Sequence, residues 1–221
     1  MAATPALQGV SEASIAELAG RGIVHHYRRG TYVCHQGDPA DEIFFLVAGR
    51  IEISSDSTTG TRVYHAAVDT PQFIGELGVL GEIPRTATLL ALAESSVWTA
   101  PGEAFLELIT AEPHAARAML RALARGFADR QSFVEDLLFL DLKARVAKRL
   151  IQMLTPDLDV LPGDGAVVPD VTQADLASMC GGSRENVTRI LKEFERRGLV
   201  KRDGHRYVLK KVANLAKIAE L

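Results

Sequence analysis

The hydrophobic pattern changes period at Pro113, and that change splits the chain into two kinds of structure. From about Ile23 to Pro101 the apolar residues come in short runs: Ile43-Phe-Phe-Leu-Val47, Arg50-Ile-Glu-Ile53, Arg62-Val-Tyr-His65 and Ser96-Val-Trp98. Turn signals at Gly30, Gly37-Asp-Pro39, Gly49 and Thr58-Thr-Gly60 separate them, the signature of closely spaced strands in a small barrel or sandwich. Before them, Ser11 is placed to cap a short helix carrying Ile15 and Leu18. After Pro113, Leu120, Leu123, Phe127, Arg130, Val134 and Leu137 follow the alternating three-and-four spacing of a coiled-coil seam, so a long helix is expected to pack on its own copy in a homodimer. Arg130 is the anomaly of that seam, because a buried guanidinium needs a partner such as Asp129, Glu135 or Asp136 of the other chain, or a ligand.

Phe139-Leu-Asp141 interrupts the seam, and Asp141 can cap a further helix from Leu142 to Leu154. Residues 155–169, rich in Pro, Asp and Gly, read as a loop and short strand. The expected domains are 1–112, a β-rich unit; 113–140, the long helix and hinge; and 141–221, a C-terminal unit. At 221 residues, 47% apolar and 24% charged, the chain has the composition of an ordinary globular protein. It shows no apolar run of membrane-spanning length and no signal-peptide pattern at its N-terminus, which points to the cytoplasm and away from membranes. Cys34 and Cys180 are too few for a disulfide framework and read as reduced thiols. His25, His26, His35, His65 and His114 lack metal-ligand spacing, and no nucleophile with a nearby base is recognisable, so neither a metal nor an enzyme is expected.

The net charge of −3 is unevenly spread. Between Arg184 and Lys211 ten Lys or Arg face four acids, a local balance of +6 that leaves −9 for the rest of the chain. A basic end on an acidic body fits a nucleic-acid-binding module attached to another unit.

Residues 73–88, Phe-Ile-Gly-Glu-Leu-Gly-Val-Leu-Gly-Glu-Ile-Pro-Arg-Thr-Ala-Thr, place two kinds of polar chemistry in one glycine-punctuated segment. Glu76 accepts hydrogen bonds only, which suits a ribose hydroxyl; Arg85 offers a planar fork matched to two phosphodiester oxygens; the glycines let backbone N–H groups approach an anion. The segment resembles the phosphate-binding cassette of cyclic-nucleotide-binding domains, and Gly30, Gly37 and Gly49 around Phe44-Phe-Leu-Val47 resemble the punctuation of that family's β-roll. One departure is Asp69-Thr-Pro-Gln72, where family members commonly carry Gly-Asp; the Pro is expected to stiffen the turn. The resemblance implies ligand contacts at Gly75, Glu76, Leu77, Arg85, Thr86 and Ala87.

Residues 171–192 read as a capped helix, a Gly-Gly turn and a second capped helix. Thr172 caps the first; Ser183 caps the second and can donate to a phosphate; Leu176, Val187, Ile190 and Leu191 supply the packed faces, and Cys180 is expected inside the first helix as a small core residue. Arg184, Glu185, Thr188 and Arg189 share a polar face on the N-terminal half of the second helix. Arg suits guanine O6/N7 and Glu suits cytosine N4, which makes Arg184, Glu185 and Arg189 a direct-readout set. A hairpin follows from Leu199 to Leu209, with Asp203-Gly204 at its tip and Lys201 on a basic arm.

Ser183-Arg-Glu-Asn-Val-Thr-Arg-Ile-Leu191 is similar to the recognition helix of the cyclic-AMP receptor protein branch of the CRP/FNR regulators, and Lys143-Ala-Arg-Val-Ala-Lys-Arg-Leu150 to the helix after their hinge. Together with the cassette, the resemblance spans about residues 15–212. It implies an α+β fold: a cyclic-nucleotide-binding β-roll, a long dimerisation helix and a winged helix-turn-helix. It also implies a bacterial homodimeric transcription regulator that binds double-stranded DNA at a TGTGA-like palindrome and contacts RNA polymerase. The departure lies in the central helix, where the family's cyclic-AMP-responsive members usually present Thr and Ser to the base and this chain aligns Arg130 and Gln131. Arg130 can stack on adenine or bind guanine, and Thr86 after the cassette Arg resembles cyclic-GMP-dependent kinases, so cyclic AMP, cyclic GMP and no ligand all stand open. A sensor or regulatory subunit whose C-terminal unit contacts proteins is the alternative of a different class.

Overall fold

The computed structural model describes residue 4 and residues 7–57, 62–69, 71–155, 157–204 and 206–221. The expected turn at 58–60 lies outside these residues, as do position 70 before the cassette and position 205 at the hairpin tip. The chain forms two compact units, residues 1–128 and 129–221.

The first unit opens with α1 (Glu12–Gly20), capped by Ser11, whose hydroxyl accepts the Ser14 amide. Eight strands follow: β1 (Ile23–Tyr27), β2 (Tyr32–Cys34), β3 (Glu42–Ala48), β4 (Ile51–Asp56), β5 (Arg62–Val68), β6 (Gln72–Ile74), then β7 (Thr88–Ala91) and β8 (Ser95–Pro101), with the short α2 (Glu76–Gly81) between β6 and β7. They form two four-stranded antiparallel sheets, in the orders β1-β8-β3-β6 and β2-β7-β4-β5. Alternate side chains of a strand point to opposite faces, and β3 is buried on both. Phe44 and Leu46 enter an interior shared with Ile51, Val68, Ile74, Leu89 and Val97. Ile43 and Phe45 face a second cluster that includes Trp98, Phe105, Leu108, Ala115 and Met119. This double burial explains why the run from 43 to 46 is continuously apolar rather than alternating; Val47, which follows it, is exposed.

α3 (Gly102–Ala111) leads into α4 (Pro113–Phe139), the long helix that the sequence pattern calls for. Leu120, Phe127, Val134 and Leu137 are 65%, 71%, 52% and 40% exposed, a stripe left largely open by the described residues of the single chain. Leu123 departs from it, packing half-buried on the core of the first unit. Arg130, expected to sit in the seam and to need a partner, is exposed.

In the second unit Asp141 caps α5 (Leu142–Gln152), which stops two residues before the expected Leu154. β9 (Val167–Val168), α6 (Gln173–Met179), α7 (Arg184–Arg196), β10 (Val200–Asp203), β11 (Arg206–Leu209) and α8 (Val212–Ile218) follow. Val146, Leu150, Leu176, Val187, Leu191, Phe194, Tyr207 and Leu215 form one core, with β9 pairing on β11 to complete a three-stranded wing. Cys180 is buried in that core as anticipated, but as the residue that ends α6 rather than inside the helix. Burial pushes its thiol up to about 12. Among the described residues no helix is long and apolar enough to cross a membrane.

Candidate nucleotide and DNA sites

The cassette folds as a loop closed on itself. β6 runs antiparallel to β3, with Ile74 opposite Phe44, and delivers the chain to Gly75 at φ 88°. That left-handed conformation favours glycine, and here space demands it as well: a Cβ on Gly75 would lie 2.6 Å from Nη1 of Arg85. Glu76 then opens α2, half-buried, with Leu77 half-buried beside it.

Arg85 returns to the start of this loop. Its amide donates to the Asp38 carbonyl and its own carbonyl accepts from Gly37, both at 2.8 Å, so the turn at 35–38 fixes its backbone. Its side chain is 5% exposed. Nη1 donates to the Gly75 carbonyl at 3.3 Å, Nη2 donates to the Glu42 carbonyl at 2.5 Å, and the guanidinium carbon lies 4.4 Å from the Phe44 ring centroid. Nε is buried and has no hydrogen-bond partner among the described residues. A cation held by two neutral carbonyls, with a further buried donor left over, fits an anion with several oxygens, and a cyclic phosphate is such a group. Thr86 is exposed, and Ala87 is half-buried with its carbonyl 3.9 Å from the Cys34 thiol. Arg130 and Gln131 belong to the second unit; both are exposed on α4, and Gln131 donates to Glu135 at 3.1 Å.

On the second unit, Thr172 and Asp175 form a reciprocal capping box at the start of α6, and Ser183 accepts the Asn186 amide at the start of α7. The turn between the helices is close-packed: Gly181 has φ 61°, and a Cβ there would meet Leu137 at 2.7 Å. With Val187, Ile190, Leu191 and Phe194 buried, α7 turns its opposite face outward. There Arg184, Glu185, Thr188 and Arg189 line one concave surface, together as the spacing predicts.

Gln173, Lys192, Glu195 and Arg196 line it too and escaped the sequence reading. Lys192 and Arg196 continue the helical spacing from Arg189, a signal that was present; Gln173 comes from α6, which only the tertiary fold reveals. Thr172 lies on an adjoining hollow with Arg202, whereas Lys201 is exposed on β10 outside both. Among the described residues no group of three His, Cys, Asp or Glu side chains is arranged to hold a metal ion.

Two family models fall on these two sites. The cyclic nucleotide-binding domain matches residues 24–112, and the Crp-like helix-turn-helix domain matches residues 144–218. The chain belongs to the CRP/FNR family of transcription regulators. It is a DNA-binding regulator with a cyclic-nucleotide-binding domain, not an enzyme.

The chain is 28% identical over 212 residues to the CRP-like cAMP-activated global transcriptional regulator of Mycobacterium tuberculosis, covering 96% of this chain and 95% of that protein. It is also 28% identical over 188 residues to the cAMP-activated global transcriptional regulator CRP of Salmonella typhimurium, covering 84% and 89%. The solved structure of the c-di-GMP responsive global regulator CLP of Xanthomonas campestris superposes with a TM-score of 0.76 at 22% identity, over 90% of this chain and 99% of that one, which shows a shared fold. The α+β architecture of β-roll, long helix and winged helix-turn-helix stands accordingly.

Proposed function

We propose that the chain is a cytoplasmic homodimeric regulator that binds cyclic AMP through Gly75, Glu76, Leu77, Arg85, Thr86 and Ala87 and reads a TGTGA-like palindrome. The observation that carries the nucleotide half is the buried Arg85 guanidinium with its unmatched Nε donor. Bound there, a cyclic nucleotide supplies the anionic oxygens that Arg85 lacks, and Glu76 accepts from its ribose hydroxyl. Arg130 and Gln131 keep the role the family resemblance implies, contact with the base. Cyclic AMP is favoured over cyclic GMP because the two relatives above are named as cAMP-activated.

Thr172, Ser183, Arg184, Glu185, Thr188, Arg189 and Lys201 serve DNA: the caps and wing for phosphates, the α7 face for bases. The uncovered stripe of Leu120, Phe127, Val134 and Leu137 speaks for a second copy, and contact with RNA polymerase follows from the family role.

Calorimetric titration with cyclic AMP and cyclic GMP separately, repeated with a TGTGA palindromic duplex at fixed salt, tests the reading. Micromolar binding of cyclic AMP that tightens with DNA is expected. Tight DNA binding with no heat from either nucleotide would remove the ligand from the proposal, and stronger cyclic GMP binding would replace it.

A further inference from the structure

Thr188 Oγ1 lies 2.7 Å from the Arg184 carbonyl oxygen and 2.8 Å from Gln173 Oε1. Both neighbours are acceptors, and a threonine hydroxyl owns one proton. With Oε1 of Gln173 toward Thr188, one of these short oxygen–oxygen contacts has no hydrogen between its atoms. The conflict disappears when the Gln173 amide is turned by 180°, since its oxygen and nitrogen ends are nearly equivalent in shape. Nε2 of Gln173 then donates to Thr188, Thr188 donates to the Arg184 carbonyl one helical turn back, and every contact carries one proton.

We infer that Gln173 is a positioning residue for base readout: its amide locks the Thr188 hydroxyl as an acceptor toward DNA. The inference rests on the proposal that this face of α7 enters the major groove. Gln173 and Thr188 are fifteen residues apart, half-buried, and on the same concave surface as Arg184 and Arg189. With its proton committed and one lone pair occupied, Thr188 keeps one lone pair and its methyl group for the nucleic acid. The freed Oε1 of Gln173 is an acceptor as well. An acceptor pair set among arginine donors selects a base that presents an amine, adenine N6 or cytosine N4, over guanine or thymine on the contacted strand.

The test is a competition assay in which each half-site position is varied through all four bases, with the full-length protein at fixed salt, with saturating cyclic AMP and without it. Gln173→Ala and Thr188→Val should each flatten the preference at one and the same position by about three- to tenfold. The double variant should lose no more than either single one. Thr188→Ser, which retains the hydroxyl but not the methyl group, should restore the preference for an amine-bearing base at that position relative to Thr188→Val, and thermal melting of each variant checks the fold. The slope of log affinity against log salt should not change.

A uniform loss over all sequences with a shallower salt slope for Gln173→Ala would make it a phosphate contact and overturn the inference. Changes at two different positions, or an unchanged profile, would overturn it equally. A wild-type protein without sequence preference would instead sink the DNA reading on which the inference rests.

Discussion

Arg85 carries an ionic charge where water is excluded, and its two side-chain acceptors are carbonyls that neutralise none of it. Such a residue is costly to the free protein, and a bound anion would offset that cost. Arg85→Met separates the two. Removing the buried charge favours the fold, while loss of the donor to the Glu42 carbonyl opposes it by about 1 kcal/mol; the Gly75 carbonyl keeps the Val79 amide. Stability by denaturant titration should therefore stay within about 1–2 kcal/mol of wild type. Cyclic AMP affinity should fall by two orders of magnitude or more, since charge-assisted hydrogen bonds contribute about 1.5–3 kcal/mol apiece. A variant that unfolds would identify Arg85 as a structural strut, and one that binds cyclic AMP normally would displace the site from the cassette.

At the scale of elements, the end of α4 is tied into the second unit by specific bonds. Lys148 on α5 donates to Asp136 at 2.6 Å, with the two side chains 14% and 15% exposed. Arg145 donates to the Leu140 and Cys180 carbonyls, joining the hinge to the helix-turn-helix turn. Lys148→Met leaves Asp136 an unpaired, largely buried carboxylate and should destabilise the second unit by about 2–3 kcal/mol. The double variant Lys148→Met with Asp136→Leu should recover most of that loss in thermal melts; if it does not, the pair is not coupled.

These contacts also mark where the sequence stops being informative. The strands, the caps at Ser11, Asp141, Thr172 and Ser183 and the polar face of α7 were legible because each depends on residues within a few positions of one another. Leu123 was not: the same spacing serves a seam between copies or a contact with the unit's own core, and the fold chose the core. α8, a seven-residue helix, was missed because so short a run shows no period, although Leu215 and Ala216 are buried. Gln173 was missed because its partner is set by the packing of α6 on α7.

For the molecule as a whole, the proposed dimer and the proposed coupling stand on one helix. α4 carries the exposed stripe, and its last turns belong to the unit that carries the DNA face. Phe127, 71% exposed, buries little of its ring in the single chain, so Phe127→Asp should cost a monomer little and damage a dimer. Sedimentation should show wild type at twice the chain mass and the variant shifted toward one chain. DNA binding should then change in kind, because two half-sites about 34 Å apart are read by two α7 helices only when the copies are joined. Affinity for the full palindrome should fall to that for a single half-site, while cyclic AMP should lose its effect on DNA. In the intact dimer that effect is bounded by linkage. With one nucleotide site in each copy and one palindrome per dimer, the factor by which saturating cyclic AMP tightens DNA must equal the product of the factors by which DNA tightens cyclic AMP at the two sites, each about 5- to 150-fold for a typical coupling of 1–3 kcal/mol. Measuring both on one preparation at one salt concentration decides the matter: a DNA factor that differs from that product means that the two ligands do not share a single equilibrium, and factors of one throughout mean that nucleotide and DNA act independently.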